Sequence, residues 1–134
     1  MQADSHTALG SNKLRLAGWA VTALPALFLL FDGVMKLVKP APVVDATVKL
    51  GYDENAIVGL GIVLLACTVV YLIPRTAVLG AILLTGYLGG AVASHLRAGD
   101  GWFPILFPVV FGAMVWGGLY LRDERLRAFF PVQT

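Results

Sequence analysis

Asp32 and Lys36 stand four residues apart in FDGVMKLVKP, residues 31–40, at the end of the apolar run LAGWAVTALPALFLLF. On a helix, that spacing puts an acid and a base on one face. A carboxylate facing lipid at mid-bilayer costs roughly 2.5–3.5 kcal/mol on insertion scales, and less near the interface. Asp32 is therefore expected to turn into a helix bundle or to pair with a cation. Lys36 is the partner on its own helix; His95 and Arg97 are the partners from elsewhere in the chain. An Asp–His pair near a membrane surface can move a proton or hold a polar head group. Thr85 and Tyr87 are polar groups in the middle of a third apolar segment. They can line a cavity with Asp32 or bond to neighbouring backbone. The candidate ligand-binding set is thus Asp32, Lys36, Thr85, Tyr87, His95 and Arg97, with Asp32 and His95 as candidate catalytic acid and base. The plainer reading stands beside it: lysines snorkel to head groups, Asp32 neutralises Lys36, and a histidine at a span end costs little.

Composition limits what such residues can do. The chain has 134 residues, 58% of them hydrophobic and 13% charged, with mean hydropathy +0.81. So small a chain cannot hide that much apolar surface from water, so an integral membrane protein is expected. The formal net charge is only +2 and no Lys/Arg cluster is interleaved with aromatics, which excludes nucleic acid as a partner. Cys67, in LLACTVVYL, is the single cysteine. It rules out an intrachain disulfide, a CxxC dithiol and a multi-Cys metal site, and no metal site is expected.

Four apolar segments must position these groups: about 16–38, 56–73, 76–95 and 101–121. Each is close to the ~20 residues that cross a hydrocarbon core as a helix. Helices satisfy their backbone within one segment, and no alternation suggests a barrel. The expected fold class is all-α, an integral membrane four-helix transmembrane bundle over residues 13–130. Residues 1–12, MQADSHTALGSN, are polar and small and read as a disordered tail. A cleaved signal peptide fits poorly, because the first apolar part is too long and no A-x-A-like site follows it. Lys39-Pro40-Ala41-Pro42 ends the first span, PVVDATVKL suits a short interfacial helix, and Gly51 stops it. Asp53, Glu54 and Asn55 suit the start of the second span as caps. Pro74-Arg75 is a tight turn that makes spans two and three antiparallel neighbours.

Antiparallel order brings Asp32, Lys36, Tyr52, Asp53, Glu54, Ser94, His95, Arg97, Asp100 and Trp102 to one end of the bundle. The other end is expected to carry only arginines and the C-terminal acids. With Lys13, Arg15, Arg75, Arg122, Arg125 and Arg127 on one side and Lys36, Lys39, Lys49 and Arg97 on the other, the bias is six to four. It favours cytoplasmic termini. Gly86, Gly90 and Ser94, with Gly89 and Ala93, form small-residue ridges expected to pack inside the chain. Pro25, Pro104 and Pro108 can kink their spans, and Trp19, Trp102 and Trp116 read as belt or packing residues.

From about residue 15 to 130 the chain resembles the DoxX-like family of small four-span membrane proteins. Gly33-Val34-Met35-Lys36-Leu37 looks like its G-x-x-K-[LI] ending, and Leu50-Gly51-Tyr52 like the leucine-glycine before its second span. The run GLGIVLLACTVVYLIPRTAVLGAILLTGYLGGAVASHLRAGD resembles the subgroup whose glycine-rich third span ends in Ala-x-x-Ser/Thr-His. The resemblance implies a four-helix transmembrane bundle. Its members are linked with quinone-coupled sulfur oxidation, redox-stress complexes and assembly of other membrane proteins. The cysteine pairs of some redox relatives are missing here, so a dithiol mechanism does not carry over. Asp32 stands where many relatives have a small or neutral residue.

Two functions follow as expectations. One is an accessory or binding protein of the inner membrane that holds a lipophile, a quinone or a lipid, or steadies a membrane-protein partner or a second copy. A quinone is then the candidate cofactor. The other is a small membrane enzyme using Asp32 and His95 on a lipophilic substrate, as isomerase, hydratase or proton-coupled oxidoreductase. A transporter is a poorer fit, since four short spans carry no internal repeat.

Overall fold

In a computed structural model the chain is helical nearly throughout; residues 2–130 are described, with side chains from residue 12 onward. The first helix, α1, runs Gln2–Val38, followed by α2 Ala41–Lys49, α3 Ala56–Leu72, α4 Ala77–Arg97, α5 Trp102–Arg122 and α6 Glu124–Phe129. Among the described residues there is no strand. The helix α1 starts inside the stretch for which a tail was expected, and no proline interrupts it before Pro25. Met1 lies outside the described residues.

The breaks have simple chemical causes. Lys39 takes a positive φ of 60°, and Pro40 then caps α2. The short helix expected from PVVDATVKL is α2; its buried Thr47 donates to the Val43 carbonyl at 2.8 Å. Gly51, at φ +96°, follows it in a conformation that costs L-residues about 1–2 kcal/mol. Asn55 occupies the cap position of α3, but its side chain makes no capping bond. Asp53 does the work expected of it: its Oδ1 accepts from the Asn55 amide at 2.8 Å and its carbonyl from the Ala56 amide at 2.9 Å. The turn at Pro74-Arg75 is braced by Thr76, whose hydroxyl donates to the Val70 carbonyl at 2.8 Å. Asp123 then caps α6, accepting from the amides of Arg125 and Leu126.

The four longest helices pack in a ring. Helix α3 packs on α4, α4 on α5, and α1 closes the circle against both α3 and α5. The core is Leu29, Leu64, Cys67, Tyr71, Ala77, Ala81, Leu84, Leu88, Phe111, Val115 and Leu119, with Leu126 of α6 packed beneath. Outside it, Leu24, Leu27, Phe31, Ile62, Val63, Leu79, Ile82, Val109 and Val110 are all exposed. Apolar side chains thus cover the outside as well as the inside, the pattern of a protein whose solvent is lipid. Helices α1, α4 and α5 are long and apolar enough to cross a membrane; α3 is a shorter apolar helix of 17 residues. The fold is an all-α membrane helical bundle.

Glycines set the closest approaches in the ring, though not the ones expected. A side chain on Gly18 of α1 would meet the Arg122 backbone nitrogen at 2.6 Å and the Gly118 carbonyl of α5 at 2.8 Å. Gly33 of α1 and Gly61 of α3 interlock in the same way, and Gly80 of α4 lies against the backbone of Tyr71. By contrast, Gly86, Gly89 and Gly90 meet nothing within 4 Å. The glycines of the ridge on α4 were expected to pack inside the chain and do not, whereas Ser94 at its end is half-buried and bonds to Tyr52. Residues Gly80, Ala81, Leu84 and Leu88 form the buried face of that helix instead, and the glycines fall on the opposite side.

Candidate functional site

Asp32 and Lys36 meet as the helical spacing predicts. Lys36 Nζ lies 2.8 Å from Asp32 Oδ2, and the lysine side chain keeps only 14% of its exposure. The stem of Lys36 lies over Gly61, which leaves room for it against α3. Lys36 is thus drawn along the bundle, with its ammonium turned back one turn to the acid. Tyr87 of α4 is half-buried and close enough to Asp32 and Tyr52 to interact with them electrostatically.

The remaining polar groups at this end are tied in pairs. His95 Nδ1 lies 2.6 Å from Asp100 Oδ2, across the turn that ends α4 at Gly99. Tyr52 Oη and Ser94 Oγ share a hydrogen bond of 2.6 Å, joining the loop before α3 to the last turn of α4. Lys39 Nζ is 3.7 Å from Glu54 Oε1. Arg97 is exposed. The structure therefore gathers Asp32, Lys36, Tyr87, His95 and Arg97 at or near one end, as the antiparallel order requires. It gives Asp32 and His95 different partners. Thr85 is engaged elsewhere: its hydroxyl donates to the Ala81 carbonyl at 2.7 Å and accepts from Trp116 Nε1 of α5 at 2.7 Å. Trp116 is thus a bundle residue with a polar tether, not only a belt residue.

One turn inward from Asp32, on the same face of α1, lies Phe28. Its ring stacks on Phe111 at 4.8 Å and meets Phe107 edge-on at 5.3 Å, while Phe107 and Phe111 meet edge-on at 4.6 Å. Phe28 and Phe107 keep 40% and 37% of their exposure. The cluster forms an aromatic wall between α1 and α5, reaching from Phe111 in the core to the partly exposed Phe28 and Phe107, with the Asp32–Lys36 pair above it.

The opposite end holds more than the arginines and acids expected there. Tyr71 is fully buried, and its hydroxyl donates to the Val115 carbonyl at 2.6 Å. Thr22 Oγ1 lies 3.3 Å from the same hydroxyl. Arg122 is buried to 9% exposure; its Nε donates to Thr22 Oγ1 at 3.2 Å and its Nη2 to the Tyr71 carbonyl at 3.1 Å. Its guanidinium carbon also stands 4.2 Å from the centre of the Trp19 ring and 4.9 Å from that of Tyr71. A desolvated cation–π contact of this kind is worth about 2 kcal/mol. The negative end of the α5 dipole adds to this. Sequence counting placed Arg122 in a loop, because it follows the last apolar residue of its span. Two cues to its burial are visible in the sequence: Gly18 and Gly118, which let α1 and α5 close up beside it.

A family model described as the DoxX-like family matches residues 20–118. No curated protein and no solved structure matches the chain significantly. The matched region takes in the second half of α1, all of α3 and α4 and most of α5, with the Asp32–Lys36 pair and the Ser94-His95 end of α4, and on that coverage the chain belongs to the DoxX-like family of membrane proteins.

Proposed function

We propose that this protein is a four-span accessory component of a bacterial-type inner membrane that holds a lipophilic molecule, a quinone or a lipid, at the Asp32 end. Both termini face the cytoplasm. The observation that carries the reading is the aromatic cluster of Phe28, Phe107 and Phe111, its Phe28 and Phe107 rings partly open to lipid, with Asp32 one turn and its partner Lys36 two turns above Phe28. A ring-bearing lipophile finds stacking surface on the wall and hydrogen-bonding groups at its polar edge. At 17 residues, α3 reaches about 25 Å at 1.5 Å per residue. It spans with modest bilayer thinning.

Binding is favoured over acid–base catalysis because Asp32 and His95 are each committed to another group, Lys36 and Asp100. The test is native mass spectrometry of protein released from mild detergent, with extraction of whatever is bound. A discrete co-purifying quinone or lipid, lost in Asp32→Asn, is the expected result. Protein that emerges bare from every membrane source overturns the proposal.

A further inference from the structure

The lipophile proposed above sits at the Asp32 end of the bundle. A cavity of about 410 Å³ opens at the other end of the bundle, lined by Arg15, Trp19, Pro74, Arg122, Asp123, Glu124 and Arg125. It is of the size that small-molecule sites take, ~300–1,000 Å³. Three guanidiniums and two carboxylates face it, so its lining carries one net positive charge.

The arrangement of those charges matters more than their sum. Arg122 is buried, yet among the described residues no carboxylate forms an ion pair with it. Its partners are a threonine hydroxyl, a backbone carbonyl and two aromatic rings, none of which carries a full negative charge. The nearest acid in sequence, Asp123, is spent on α6: Oδ1 accepts from the Arg125 and Leu126 amides and stands 3.5 Å from Arg125 Nε. Arg15 is exposed at the rim and makes no ion pair among the described residues. A buried guanidinium with no counter-ion among the described residues, beside a cavity rimmed by two more, leaves room for an anionic partner.

We propose that this cavity binds a phosphate-bearing anion, with Arg122 as the buried anchor and Arg15 and Arg125 as rim contacts. Guanidinium forks match the paired oxygens of phosphate. The C-terminal ends of α3 and α5 and the start of α6 border the cavity beside Arg15 and Trp19 of α1, and helix ends and a tryptophan suit the level where a bilayer presents its head groups. The phosphate can come from an anionic lipid or from a soluble phosphate, and the chemistry of the site is the same for both. The proposal is independent of the lipophile reading at the Asp32 end.

The experiment uses the full chain, delipidated in mild detergent. Added phosphatidylglycerol, phosphatidylcholine and sodium phosphate are each followed by native mass spectrometry and by thermal unfolding. The wild type is expected to retain phosphatidylglycerol over phosphatidylcholine. The double variant Arg15→Gln with Arg125→Gln, altered only at exposed side chains, is expected to lose affinity about tenfold, as for the loss of charge-assisted contacts. Lys49→Gln, which removes one exposed cation from α2 outside the cavity, is expected to bind as the wild type does, which separates this site from a general loss of positive charge. Stabilisation by sodium phosphate, or its displacement of the lipid, assigns the site to a soluble anion; failure of phosphate to compete assigns it to the lipid. Equal retention of the two lipids with no effect of phosphate overturns the proposal, as does wild-type affinity in the double variant.

Discussion

At the scale of single residues, Tyr71 ties three helices together. Its hydroxyl serves α5 and faces Thr22 of α1, its ring supports Arg122, and its backbone lies against Gly80 of α4. Tyr71→Phe keeps the ring and removes the hydroxyl. It is expected to destabilise the protein by about 1–3 kcal/mol, because the Val115 carbonyl loses its extra donor in a buried place. Unfolding in mixed detergent measures this. The glycines make a sharper pair. Gly80→Ala drives a methyl into the Tyr71 backbone and is expected to cost about 1–3 kcal/mol by overpacking. Gly90→Ala meets open space, and helix propensity alone predicts a gain of up to about 1 kcal/mol. The Asp32–Lys36 pair was legible in the sequence, because both residues lie on one helix and the spacing decides the geometry. The depth of Arg122 was not, because it depends on Thr22, 100 residues away in the chain.

At the scale of elements, the apolar segments and the proline and glycine breaks were readable because each rests on local chemistry. The ends of helices were read less well. Asp53, Glu54 and Asn55 all looked like caps, and only Asp53 uses its side chain for the backbone there. Helix α6 has six residues, too few to show a period, so it escaped notice although Asp123 is a good capping residue. Asp123→Ala is expected to cost about 0.5–2 kcal/mol of local stability. Amide exchange at Arg125 and Leu126 should quicken while α5 amides stay protected. The face of α4 that turns inward was misjudged for a related reason. Helix α4 carries two rows of small residues, and nothing local says which of them meets a neighbour.

At the scale of the whole molecule, the ring of helices sets which groups share an end. That much followed from antiparallel order, and the pairing of Tyr52 with Ser94 reflects it. The proposed orientation rests on the six-to-four distribution of lysine and arginine. It can be checked with single cysteines in a Cys67→Ala background. Lys49→Cys is expected to react with a membrane-impermeant maleimide on intact cells, and Arg125→Cys only after lysis. The reverse pattern would invert the topology and put the arginine cavity outside.

The closure of the ring by α1 and α5 also fixes an order of events during synthesis. Helices α1, α3 and α4 are made before α5, and Arg122 is the last residue of α5. Until α5 arrives, the Tyr71 hydroxyl lacks the Val115 carbonyl, and the Thr22 hydroxyl and the Tyr71 carbonyl lack Arg122. A nascent chain paused after α4 therefore sits in the bilayer with an open seam. The final span is the one that seals it, and a chain shortened before residue 122 is expected to be cleared by membrane quality control, not merely impaired.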